Sequence, residues 1–167
     1  GHPPRRGQGG SHDFDHVERV LKMCLHIGRK EKADLEILKF AAILHDIGRS
    51  EEDKTSGKIN HAQYGAELAK KILEKYKFTN EKIKKITHCI ESHRFRGTIK
   101  PKTLEAKVLF DADKLDSIGA VGIGRGVGGQ APVGRPFRPA AGIDPRRYAG
   151  AGAQQGEEGD ALDRVVG

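Results

Sequence analysis

The chain of 167 residues fits one ordinary domain, and 36% hydrophobic content with no Trp and only nine Phe or Tyr describes a thin, aliphatic core. No apolar run approaches the roughly 20 residues needed to span a bilayer, residues 1–10 lack the apolar stretch of a secretory signal, and Cys24 and Cys89 lack CxxC spacing; these exclude a membrane span, a secreted disulfide scaffold and a zinc knuckle, and favour a reducing, cytoplasmic compartment. The formal charge of +7, from 30 Lys plus Arg against 23 Asp plus Glu, favours anionic partners: phosphorylated small molecules, nucleic acid or an anionic membrane surface.

In chain order, residues 1–10 are rich in Gly, Pro and Arg and are expected to be flexible; the start on Gly rather than Met points to a missing or processed beginning. Val17, Val20, Leu21, Cys24 and Ile27 then form one amphipathic stripe, with Gly28 near its end. A second stripe runs through Leu35, Leu38, Ala42 and His45, with Asp34 as N-cap and Gly48 as a stop. The polar residues 50–60 read as a loop. Asn60 caps a third helix carrying Ala62, Leu68, Ala69, Ile72 and Leu73, and a fourth follows Thr79 and Asn80 with Ile83, Ile86 and Ile90. Gly97 and Pro101 punctuate the next loop, and a fifth helix holds Leu104, Val108, Leu109, Phe110, Leu115 and Ile118. With no sustained strand alternation, the fold class is all-α, a helical bundle over residues 11–125.

Residues 126–167 differ in kind. All seventeen lysines lie at or before Lys114, whereas half of this tail is Gly, Ala or Pro and its five Arg balance five acidic residues. So few large apolar groups cannot offset the entropy of ordering the tail, which is expected to be loosely structured. A natural flexible tail and a reading-frame slip would both produce this composition.

The informative residues are His and Asp where the helical pattern expects apolar side chains. His45 continues the second stripe and is followed by Asp46; burying that pair without partners is costly. A divalent metal ion offsets the cost, because imidazole and carboxylate are both ligands, whereas an isolated His-Asp doublet is more simply a helix-end pair bonded to backbone. The doublet has company. At 100° per residue His16 lies about 40° from Val20, and His93 about 20° from Ile86, while His88 points roughly opposite, toward solvent. His61 opens the third helix. In the fifth helix, DADKLD supplies Asp111, Asp113 and Asp116. Asp111 shares a face with Leu104, Val108, Leu115 and Ile118, and Asp113 lies beside Ala106, Leu109, Phe110 and Ala120, so periodicity does not choose between them. Each would want a cation if buried.

The segments HDFDHVERV (residues 12–20), AAILHDIGR (41–49), HAQYGAELAKKIL (61–73), CIESH (89–93) and EAKVLFDADKLDSIGAVGIGR (105–125) together resemble the HD superfamily of metal-dependent phosphohydrolases, in the order H…HD…D. The resemblance covers nearly all of residues 11–125 and is strongest to small stand-alone bacterial and archaeal HD hydrolases. It implies a helical bundle with a metal site at its centre, held by His16, His45, Asp46 and Asp113. His61 and His93 match, in order, the added ligands of two-metal members. One ion or two, drawn from Mn, Ni, Co, Fe, Mg or Zn, would then serve as cofactor. His12-Asp13 is a second literal doublet, assigned to a cap or to the pocket wall.

Such a site implies water activated by a divalent metal and directed at phosphorus, with Asp46 as the bridging or water-orienting carboxylate. Arg49 and Lys114 are candidates for neutralising charge on phosphate oxygens, the alternative for both being solvated surface charge; Arg94 and Arg96 are weaker candidates at the rim. The function implied is hydrolysis of a phosphoester or phosphoanhydride in a small phosphorylated substrate, foremost a nucleotide, releasing orthophosphate or pyrophosphate. Cyclic-dinucleotide turnover is disfavoured because no GYP motif follows His93; the chain reads HRFRGTIKP from that residue instead. The alternative is a non-catalytic nucleotide-binding regulatory module. Nucleic-acid binding rests on charge alone, and a homodimer is compatible with the pattern.

Overall fold

The structure is a computed structural model that describes the backbone of residues 9–124 and the side chains of residues 14–118. The expectations for residues 1–8, for the His12-Asp13 side chains and for the tail after Arg125 lie outside them. Six helices follow one another: α1 (Gly9–Glu31), α2 (Leu35–Leu44), α3 (Arg49–Lys54), α4 (His61–Lys75), α5 (Asn80–Ser92) and α6 (Leu104–Gly124). The all-α class is thus observed, and no strand occurs among the described residues. No helix here is long and apolar enough to cross a membrane.

The caps form where the side-chain chemistry predicts them. Asp34 accepts from the amides of Glu36 and Ile37, Asn60 from Ala62, and Thr79 from Lys82, each satisfying an orphan N–H at a helix start. Gly28, by contrast, does not end α1. A Cβ there would overlap Leu38 Cδ1 and lie 3.0 Å from Leu35 Cδ2, so this glycine permits close packing of α1 on α2. The helix ends at Lys32, whose φ of 58° lets the Ala33 amide reach the Gly28 carbonyl at 2.9 Å.

α2 is the central strut, packed against α1, α5 and α6, while α5 also receives α4. Val20, Cys24 and Ile27 of α1 meet Ile37, Leu38 and Ala41 of α2, Ile86 and Ile90 of α5, and Val108 and Leu109 of α6 in one buried cluster. Each fully buried Ile or Leu contributes about 1.5–3 kcal/mol. Both cysteines are free and buried in it, and burial pushes the Cys89 thiol up to about 12.

The segment expected to be a loop over residues 50–60 contains α3. Its sequence RSEEDK has no apolar stripe, so periodicity is blind to it. It forms because it continues from the turn after α2, where the Glu51 and Glu52 amides reach the Gly48 carbonyl, and because it packs on α4.

Candidate metal centre

Four segments converge at one end of the bundle. The chain leaves α2 at His45, the C-cap, and turns through residues 45–48 before entering α3. Gly48 makes this turn possible through space rather than backbone freedom, for its φ is an ordinary −88°. A Cβ at Gly48 would overlap the His61 carbonyl oxygen and lie 2.8 Å from the Gly65 nitrogen. Backbone therefore meets backbone, and Asp46 comes to lie beside the first residue of α4. α1 brings His16, the end of α5 brings His93, and α6 brings Asp113.

All six expected ligand positions meet here, arranged about Asp46. On one side, His16 Nε2 is 3.7 Å and His45 Nε2 3.6 Å from Asp46 Oδ2. Asp113 Oδ1 lies 3.2 Å from His16 Nε2 and 3.8 Å from His45 Nε2. On the other side, His61 Nε2 and His93 Nε2 each lie 3.6 Å from Asp46 Oδ1. Two groups result, His16, His45 and Asp113 against Asp46, His61 and His93, each with its ligand atoms within 4.8 Å of one another. The two oxygens of Asp46 face different histidine pairs.

Each of these four histidines presents Nε2 to this centre and is held through Nδ1. His45 donates from Nδ1 to the Ala42 carbonyl at 2.6 Å, and His93 to the Ile90 carbonyl at 2.6 Å. His16 donates to Asp116 Oδ2 at 2.7 Å and His61 to Glu52 Oε2 at 2.6 Å. In the neutral ring, a proton on Nδ1 leaves a lone pair on Nε2. Yet His16 and His45 stand with Nε2 atoms 3.3 Å apart, and so do His61 and His93. Facing lone pairs repel unless a proton or a metal cation lies between them. Two such pairs, with two carboxylates, are the donor chemistry of a divalent ion site, and the residues fit that group.

The electrostatics agree. Burial opposes ionisation of Asp46, but His93, His45 and Arg49 carry its pKa well below the usual carboxylate range. Asp113 moves the same way, with His16 and His45 outweighing its burial. Burial lowers the pKa of His45 and of His61, keeping both neutral and competent as ligands. His16 is the exception: its bond to Asp113 raises it to about 9 against burial, with help from Asp116. That proton occupies the place a metal would take.

A cavity of about 360 Å³ opens on this centre, lined by His16, Asp46, Arg49, Asp53, Asp113 and Ser117. Arg49 reaches Asp46 with Nη2 at 3.1 Å. Lys114 does not line the cavity; its ammonium lies over the Phe95 ring, 4.2 Å from the centroid. Arg94, expected at the rim, instead pairs with Glu52 at 3.1 Å, and Arg96 is exposed. His88 is half-buried rather than solvent-facing, and its Nε2 accepts from the Lys102 amide at 3.0 Å.

Three contributors escaped sequence reasoning. Glu52 holds His61, and Asp116 holds His16 while receiving Arg19 Nε at 2.7 Å. Of these only Asp116 carried a signal, as part of DADKLD; Asp111 of the same motif is buried at 1% exposure and belongs to neither group.

Residues 13–118 match the HD domain family. The uncharacterized protein YpgQ of Bacillus subtilis (strain 168) is 35% identical over 122 residues, covering 71% of this chain and 57% of that protein. Ribonuclease Y of Syntrophomonas wolfei is 30% identical over 108 residues, 65% of this chain but 19% of the enzyme. Among solved structures, a predicted HD superfamily hydrolase from an uncultured Thermotogales bacterium superposes with a TM-score of 0.61 at 39% identity, over 71% of this chain and 64% of the other. The chain thus spans little more than half of the first relative and about a fifth of the second.

Proposed function

The chain belongs to the HD domain family, and from that premise we propose that it is a metal-dependent phosphohydrolase acting on a small phosphorylated molecule, foremost a nucleotide. The observation that carries this reading is Asp46, turned so that each carboxylate oxygen faces its own histidine pair. In this reading His16, His45 and Asp113 would hold one divalent ion and His61 and His93 a second, with Asp46 offering an oxygen to each side. Such ions supply Lewis acidity, activating water and polarising a phosphoryl oxygen. Manganese, nickel, cobalt, iron, magnesium and zinc all accept this mixture of nitrogen and oxygen donors.

The chain's own residues supply the rest. Nδ1 bonds lock each ring so that Nε2 stays aimed at the centre. Arg49, on the cavity wall, neutralises charge growing on phosphate oxygens, and Lys114 attracts the anion from outside that wall. A cavity of about 360 Å³ suits a small molecule. Free, buried cysteines suit a reducing cytoplasm.

The test strips metal with a chelator, restores Mn, Ni, Co or Mg singly, and screens nucleotides for released orthophosphate and pyrophosphate. Turnover should vanish on stripping and return with at least one metal. A folded protein that binds metal and nucleotide but turns nothing over would support the regulatory module instead.

A further inference from the structure

We propose that Phe95 is a stacking platform for the nucleobase of the substrate at the rim of the metal centre, an inference that rests on the phosphohydrolase reading and extends it to what the enzyme grips besides phosphate. Phe95 is 56% exposed, in the connection between α5 and α6. Its neighbours hold it in place: Phe110 lies 6.1 Å away, centroid to centroid, and the Lys114 ammonium 4.2 Å from its ring centroid. A phenyl ring ordered by two contacts yet largely open to water offers a flat face without the entropy cost of fixing it on binding.

Its position joins it to the site. Phe95 follows His93 by two residues, and its neighbour Arg94 pairs with Glu52, which orients His61. On α6, the residues it touches, Phe110 and Lys114, share an arc of about 100° with Asp113 and Ser117. Asp113 and Ser117 line the cavity. The aromatic rim and the cavity wall are therefore contiguous on one helix face. Tyr76 is also exposed, but it caps the far end of α4, about 22 Å along that helix from His61.

The chemistry suits a nucleotide. Bases stack on aromatic faces regardless of sequence, and the lysine that covers one face of the ring leaves the other for a base while attracting the accompanying phosphate. The same platform accepts the base of a free mononucleotide or of a residue in an RNA strand.

The full chain, stripped of metal so that nothing turns over, is titrated with adenosine 5′-monophosphate, with ribose 5-phosphate as the base-free reference, and with oligoadenylate. The monophosphate should bind more tightly than ribose 5-phosphate. Phe95→Ala should weaken it roughly tenfold and leave the reference about unchanged, while Phe95→Trp should restore it. A loss confined to oligoadenylate would uphold the platform and assign it to a strand. Unchanged binding of oligoadenylate by Phe95→Ala, together with equal affinity for the two small ligands or equal losses of both, would overturn it. Base-dependent binding through Phe95 in a protein that hydrolyses no nucleotide with any metal would uphold the platform while removing the phosphohydrolase reading.

Discussion

The centre has an open half and a buried half made of nearly the same chemistry. His16 and Asp113, with side chains 22% and 23% exposed, face the cavity, whereas His61 and His93, at 4% and 2%, lie behind Asp46. Each half offers two imidazole nitrogens and one carboxylate. Each also has an Arg–carboxylate–His relay, Arg19–Asp116–His16 in the open half and Arg94–Glu52–His61 in the buried one. Donor chemistry being alike, what separates them is that His16 and Asp113 reach the cavity, whereas His45 of the same group is as buried as His61 and His93. Under the proposed function, the open half is the one substrate would reach, and the buried half would hold an ion away from water.

Asp46→Ala removes the side chain whose two oxygens face both halves, so it should have the largest effect. Hydrolysis should fall to background and metal content per chain should drop in both halves, as read by elemental analysis after dialysis. Retention of a full complement of ions would break the picture of a shared bridge.

Removing one relay at a time sharpens the contrast. Asp116→Asn and Glu52→Gln each keep shape but lose the charge that orients a ligand histidine, a change worth roughly 10- to 100-fold in metal affinity. Asp116→Asn should loosen the ion of the open half and Glu52→Gln that of the buried half, seen as selective weakening of one of two steps in a metal titration. If both variants weaken both steps alike, the halves act as one cooperative site.

The smallest effect is expected from Gly48→Ala. The added methyl collides with the α4 backbone at His61 and Gly65, which should cost about 1–3 kcal/mol in urea unfolding. Because that contact sets Asp46 beside His61, activity should fall with it, while His16 and His45 keep their mutual geometry.

Legibility in the sequence followed the physics of each signal. Helix starts at Asp34, Asn60 and Thr79 were readable because capping is local, a side chain bonding an amide two or three residues on. His16 and His93 were placed inward by periodicity because each shares a face with apolar neighbours. Gly48 was misleading as a stop, since it, like Gly28 near the end of α1, is needed for a close approach by another helix. α3 was invisible because its six residues carry no stripe, and with it went Glu52, a carboxylate made burial-worthy only by His61 and Arg94.

By itself the sequence determined the all-helical class, the inward set of histidines, the His45-Asp46 doublet and the break in composition after Arg125, since periodicity, capping and composition are properties of neighbours along the chain. Tertiary structure decided that Asp113 rather than Asp111 joins the centre, that Asp46 faces two histidine pairs, that Glu52 and Asp116 orient the rings, and that Lys114 lies over Phe95. Those are relations between residues far apart in the chain, and only packing one helix end against another brings them within a few ångströms.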